Sequence, residues 1–222
     1  MNAYIETIKN FIFPRKCIIC GEILSYGENM PFCNKCSPDV PYIEEYYNES
    51  PDFDDIISVF YYKEPIRGVI LRIKKTEDVY TIKHLSYLAA DKVSSLYEGI
   101  AFDMLLPVPS SKESVKQAGF DRMDIFARKL SRLLKIKYDR RALTKVMETK
   151  KQHTLSKDER LTAQKDAFHV DKESVSGKTI LLFDDIITTG STLSECAASL
   201  KRAGAHKVYC FTIAATEYKE EM

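Results

Sequence analysis

Apolar positions along the chain change their period several times, and each change outlines an element. Ile5, Ile8, Phe11 and Ile12 recur at helical spacing and predict a short amphipathic helix within 1–13. IISVFYY at 56–62 reads as a strand. After Pro65, a residue suited to a helix start, Ile66, Val69, Ile70 and Ile73 mark one helix face. Val79, Ile82, Leu85, Leu88, Ala89, Val93 and Leu96 mark a longer one over 79–97. DMLLPVP at 103–109 predicts a strand that stops at prolines, and Met123, Phe126, Ala127, Leu130, Leu133 and Leu134 predict a helix after Asp121. TILLFDD at 179–185 is a continuous buried strand stopping on two aspartates. A helix over 192–203 and a strand, KVYCFTIAA at 207–215, follow. Strands alternating with helices imply an α/β fold: a parallel sheet with helices on both faces. Ligands of such sheets bind beyond the C-terminal ends of strands, where both FDD and PVP fall.

The stretch EEYYNESPDFDD at 44–55 holds six acids and no base. It reads as a solvated linker between an N-terminal module, 1–43, and a main domain, 56–222. No run approaches eighteen uninterrupted apolar residues, and the first sixteen residues lack the apolar core of a signal peptide. The expectation is a cytoplasmic protein without membrane insertion. Net charge is +1, so the whole-chain balance selects no partner.

Of six cysteines, four form two tight pairs: Cys17 and Cys20, then Cys33 and Cys36, with twelve residues between the pairs. Two residues between cysteines let both thiolates face one tetrahedral Zn²⁺, and two such knuckles close a four-sulfur structural site. The rival reading is a redox pair, which would not need a second pair. Cys196 and Cys210 fall in an apolar helix and strand and read as small core residues.

The loop after FDD carries the chemistry. Thr188, Thr189, Ser191 and Thr192 supply hydroxyl donors, Gly190 permits close backbone approach, and the following helix start presents amides to an anion. This is a phosphate cradle with two carboxylates, Asp184 and Asp185, at its lip. Carboxylates repel phosphate, so they serve sugar hydroxyls or a bridging cation. The implied ligand is a sugar phosphate with Mg²⁺. The plainer alternative is a strand ending in Asp-Asp with Ser191 as a helix cap. No lysine follows the glycine, so the loop is not a Walker A motif.

LLFDDIITTGST closely resembles the phosphoribosyl-pyrophosphate (PRPP) signature of type I phosphoribosyltransferases. By that resemblance Asp184 and Asp185 face the ribose hydroxyls and residues 188–192 hold the 5′-phosphate. Purine-salvage members have an Asp base where this chain has Thr188, which argues against purine salvage. The whole chain resembles the ComF family, phosphoribosyltransferase-like proteins associated with competence for DNA uptake. The resemblance rests on Pro14 to Cys20, on PVPSS followed by AGFDR with Asp121 in place of the usual Asn, and on Thr149, Gln152, Leu155, Ser156 and Arg160. Position 163 is Ala where the family usually has Asn, and the Lys-x-x-Gly segment reads Lys74-Lys-Thr-Glu77, without the glycine. The general phosphoribosyltransferase plan gives pyrophosphate to the loop after 105–109, with Ser110, Ser111, Lys112, Lys116 and Lys74 as candidate contacts. It makes 145–165 a flap that closes over the ligand. Two functions remain open at this point. One is a PRPP-binding accessory protein that handles DNA together with competence machinery proteins. The other is a working transferase that moves ribose phosphate to a small nucleophile. A third, plainer reading is a partner-binding scaffold.

Residues 128–151 hold ten Lys or Arg against Asp139 and Glu148. Arg128, Lys129, Arg132, Arg140 and Arg141 are therefore candidates for contacting single-stranded DNA, with a solvated helix face as the alternative.

Overall fold

The computed structural model describes residues 14–25, 30–44, 50–146 and 167–217. Its main sheet has four strands: β1 (Asp55–Tyr61), β2 (Met104–Pro107), β5 (Thr179–Ile187) and β6 (Lys207–Ala215). They lie in the order β1-β6-β5-β2, and every pairing is parallel. The expected parallel α/β sheet is present.

Side chains alternate across each strand, so every strand feeds two cores. Ile57, Val59, Leu105, Leu181, Phe183, Phe211 and Ile213 enter one core. There they meet α1 (Ile66–Lys75), α2 (Val79–Leu96) and α4 (Arg122–Leu134). Ile56, Met104, Leu106, Ile180, Leu182, Val208 and Cys210 enter the other. It is covered by α6 (Ser191–Arg202) and by the short α5 (Lys172–Val175). Cys196 and Cys210 are fully buried there, as small core residues. Both Phe183 and Phe211 are sealed from solvent and stack at 5.7 Å between centroids.

Helix boundaries follow from caps. Asp78 accepts a hydrogen bond from the amide of Thr81 at the head of α2, and Asp121 accepts from the amides of Met123 and Asp124 at the head of α4. Lys135 ends α4 in the left-handed conformation.

Three features depart from the expected elements. β5 does not stop at the aspartates but runs two residues further, to Ile187, because Ile186 and Ile187 still pair with Ala214 and Ala215 of β6. The polar segment after PVP holds a helix, α3 (Lys112–Ala118), capped by Ser111 and ended by Gly119 at φ +77°. Seven residues show too little apolar repeat to announce it. An antiparallel ribbon, β3 (Leu143–Lys145) with β4 (Phe168–Val170), was also unexpected, being only three residues long on each side.

The cysteine module does not carry a large core of its own. Cys17, Leu24 and Cys33 form a small cluster, while Ile18, Phe32 and Val40 join the core of the main sheet. Its tail runs along β1: Tyr61 donates to the carbonyl of Pro41 and Ile43 to that of Val59. Within the acidic stretch, Phe53 is buried and the Asp54 amide donates to Val208. The helix expected within 1–13 lies outside the described residues.

Candidate functional site

The loop at 188–190 leaves the C-terminal end of β5 and turns into α6 at Gly190, whose φ of +77° suits a residue without Cβ. The N-cap is Gly190, which has no side chain to offer, and the Thr189 hydroxyl approaches the Ser191 amide only at 3.5 Å, so the first-turn amides face the loop. Thr188, Thr189, Ser191 and Thr192 are exposed, and the Thr189 and Ser191 hydroxyls lie 3.1 Å apart. Thr216 steadies the loop, donating from its amide to Ile187 and from its hydroxyl to the Thr188 carbonyl. All five loop residues named from sequence therefore surround one helix start, an arrangement able to receive an anion.

Strand alternation sends the two aspartates to opposite faces. Asp184 stands in register with Thr212, whose hydroxyl donates to the Ala214 carbonyl and accepts from Ser58 at 2.5 Å. Burial first, and then the charge of Asp185, push the Asp184 carboxyl up to about 7. Asp185 points toward the helices of the other face. Its Oδ2 receives Nε of Arg122 at 3.1 Å and Nη2 at 3.0 Å, with Nζ of Lys74 at 3.4 Å. All three contacts fall on one oxygen, so the cations hold the carboxylate through Oδ2. Of the residues expected at the pyrophosphate, Lys74 thus sits beside Asp185. Arg122 was missed from sequence. It opens a helix 63 residues before its partner, and only its position beside Asp121 in the AGFDR motif could have drawn attention to it.

A cavity of about 530 Å³ opens next to this region, above the C-terminal end of β2. Ser110, Ser111, Lys112, Asp121, Tyr138 and Arg140 help to line it, and none of residues 184–192 does. Lys116 is exposed on α3 and does not line it. The candidate contacts therefore divide into two neighbourhoods: Lys74 at the aspartates, and Ser110, Ser111 and Lys112 at the cavity. Along the cavity wall Arg140 pairs with Asp121 at 2.9 Å, and Tyr138 donates to Asp124 at 2.5 Å. Despite its burial, Asp124 is held below the usual carboxylate range by hydrogen bonds from Arg128 and Tyr138.

Residues 114–222 match a family described as Phosphoribosyl transferase domain. The chain is 26% identical over 205 residues to Competence protein F of Haemophilus influenzae, covering 88% of this chain and 90% of the relative. It is 30% identical over 157 residues to Competence protein ComFC of Bacillus subtilis, covering 70% and 62% respectively. Against the DNA utilization protein YhgH of Escherichia coli K12 it is 30% identical over 169 residues, covering 75% of this chain and 74% of the relative. The chain belongs to the ComF family. Of the ComF motif positions, Thr149, Gln152, Leu155, Ser156 and Arg160 lie outside the described residues, as does most of the expected flap.

The ComF cysteine cluster is assembled. The sulfurs of Cys17, Cys20, Cys33 and Cys36 all lie within 4.8 Å of one another, and Cys20 and Cys33 are 3.7 Å apart. Sulfurs about 2.3 Å from a tetrahedral zinc stand about 3.8 Å apart, so the donor set fits that ion. Burial opposes ionisation of Cys17, but backbone amides of Cys20, Cys33 and Ile19 directed at its sulfur outweigh this and lower it to about 7. Cys36 is pushed up by burial and by the neighbouring sulfurs. Four crowded thiols of this kind ionise together only around a cation.

The basic face of this ComF chain is less free than its sequence implies. Arg128 pairs with Asp124 at 2.7 Å and Arg140 with both Asp121 and Asp124. Lys129 lies 5.0 Å above the ring of Tyr87, while Arg132 and Arg141 are exposed. Two of the five candidates are thus occupied by carboxylates of the same helix start. Among the described residues no helix is long and apolar enough to cross a membrane.

Proposed function

We propose that this ComF protein binds PRPP with Mg²⁺ and uses that ligand in handling single-stranded DNA during competence, in the cytoplasm and with competence machinery proteins as partners. The observation carrying the reading is the carboxylate of Asp185, held by Arg122 and Lys74 at the end of the strand that leads into the Gly190 helix start. Residues 188–192 would take the 5′-phosphate on backbone amides and hydroxyls. Asp185 and Asp184, whose Oδ1 already accepts from the Asp185 amide at 2.8 Å, would face ribose hydroxyls or Mg²⁺, which would neutralise pyrophosphate oxygens. Lys74 and Arg122 keep the surroundings of the carboxylates positive enough to tolerate a polyanion. The names of the relatives, competence and DNA utilization, support the DNA part of the reading. The test is calorimetric titration with PRPP and Mg²⁺ beside inorganic phosphate. Binding of PRPP no tighter than phosphate would defeat the reading.

The cavity at Ser110 to Lys112, the loop expected to hold pyrophosphate, favours a second reading, an active transferase, because it offers room for that leaving group. Ribose phosphate would then pass to a small nucleophile as pyrophosphate leaves. Incubation with PRPP, Mg²⁺ and candidate acceptors, with pyrophosphate release followed, separates the two readings.

A further inference from the structure

The exposed face of α2 carries rings at successive turns. Tyr80, His84 and Tyr87 are spaced by four and three residues, which places them in one row on a helix. The rings form a continuous ridge: Tyr80 and His84 lie 4.2 Å apart between centroids, and His84 and Tyr87 6.5 Å apart. Tyr80 is 36% exposed and Tyr87 45% exposed, so the row presents ring surface to solvent while the opposite side of the helix fills the core.

Cations from three parts of the chain flank this row. Lys129 of α4 stands 5.0 Å over Tyr87, with Arg132 exposed one turn further along the same helix. Lys83 is exposed on α2 itself. Lys16 of the cysteine module is exposed, and its backbone is tied to the ridge, for the Tyr80 hydroxyl donates to its carbonyl at 2.9 Å and accepts from its amide at 2.6 Å. Of the nearby acids, Asp78 is committed to Arg72 at 3.0 Å. Asp91, one turn beyond Tyr87, ends the ridge.

We propose that the Tyr80–His84–Tyr87 ridge, with Lys16, Lys83, Lys129 and Arg132 beside it, is a stacking platform for single-stranded nucleic acid. Duplex hides the faces of its bases, whereas a single strand offers both base faces to rings and phosphates to lysines, so alternating rings and cations fit the single strand. A protein partner would not need cations on both flanks of an aromatic row. The platform rests on the DNA-handling reading above but lies apart from the 188–192 loop. It shares only Lys129 and Arg132 with the basic face expected from sequence, so most of its ring surface comes from a helix that charge counting passes over.

The experiment measures binding of a fluorescent oligothymidine and of a duplex of the same length to the full-length protein. Tyr87→Ala should weaken single-strand binding about tenfold or more, in line with losing one stacked base, and Tyr87→Phe should restore it. Lys129→Gln should flatten the salt dependence by about 0.7 in logarithmic slope for each phosphate that the lysine neutralises. Neither variant touches the sheet core, and retained melting temperature checks folding. Absence of single-strand binding by the unaltered protein would overturn the DNA-handling reading and the platform with it. Single-strand binding unchanged in Tyr87→Ala and Lys129→Gln would overturn the platform alone. Equal loss of single-strand and duplex binding in Tyr87→Ala would overturn stacking as its basis.

Discussion

Arg122 and Asp185 meet across 63 residues of chain, two guanidinium nitrogens closing on one carboxylate oxygen at 3.0 and 3.1 Å. Both side chains are largely buried, at 18% and 13% exposure. A pair of this kind adds little net stability, but removing one partner leaves a charge stranded away from water.

Arg122→Ala should therefore destabilise the protein by about 3 kcal/mol, softened by Lys74, while Arg122→Lys loses less. Chemical denaturation of both variants checks this. A change under about 0.5 kcal/mol in Arg122→Ala would mean that the carboxylate is already satisfied without the arginine.

Asp185→Asn should weaken PRPP binding by about 1–3 kcal/mol, the scale of a hydrogen bond to a charged group, and leave inorganic phosphate nearly unaffected. Gly190→Val should abolish both, since φ of +77° resists a branched side chain at the point of phosphate approach. Calorimetry with both ligands reads the contrast. Equal losses of PRPP and phosphate in Asp185→Asn would remove the sugar-reading role.

Asp184 makes the protein sensitive to pH in a defined direction. Its carboxyl is raised from 3.8 to about 7, so the native state holds the proton more tightly than the unfolded chain does. The associated stability is fully present below pH 3.8 and is lost as pH rises through about 7. Asp184→Asn should be more stable than the parent at pH 8, and the gap should close toward pH 4. Thermal melts across that range test it. A gap that widened on acidification would reverse the assignment.

Removing metal should loosen the cysteine module and lower the melting temperature of the whole chain, because Ile18 and Phe32 of that module are part of the main core. Cys33→Ser should do the same and should bind less than one zinc per chain. Metal analysis and melting after chelation provide the measurements. A melting temperature indifferent to both would show that the module holds its shape on packing alone.

What the sequence alone determined were the features written in contiguous residues. Apolar period announced β1, α1, α2, β2, α4, β5, α6 and β6, because each buries one stripe or run long enough to stand out. Cysteine spacing announced the clustering of the four sulfurs, since a knuckle is a local turn, and the glycine announced the turn into α6 for the same reason. Short elements escaped: α3 is held by its Ser111 cap, and the β3–β4 ribbon by pairing between segments more than twenty residues apart. Only the tertiary structure decided that Arg122 and Lys74 share one oxygen of Asp185, that the two aspartates part to opposite faces, and that Arg128 and Arg140 are taken by carboxylates. Those contacts join residues distant along the chain. No local pattern encodes them, for a charge's partner is set by which elements the cores bring together.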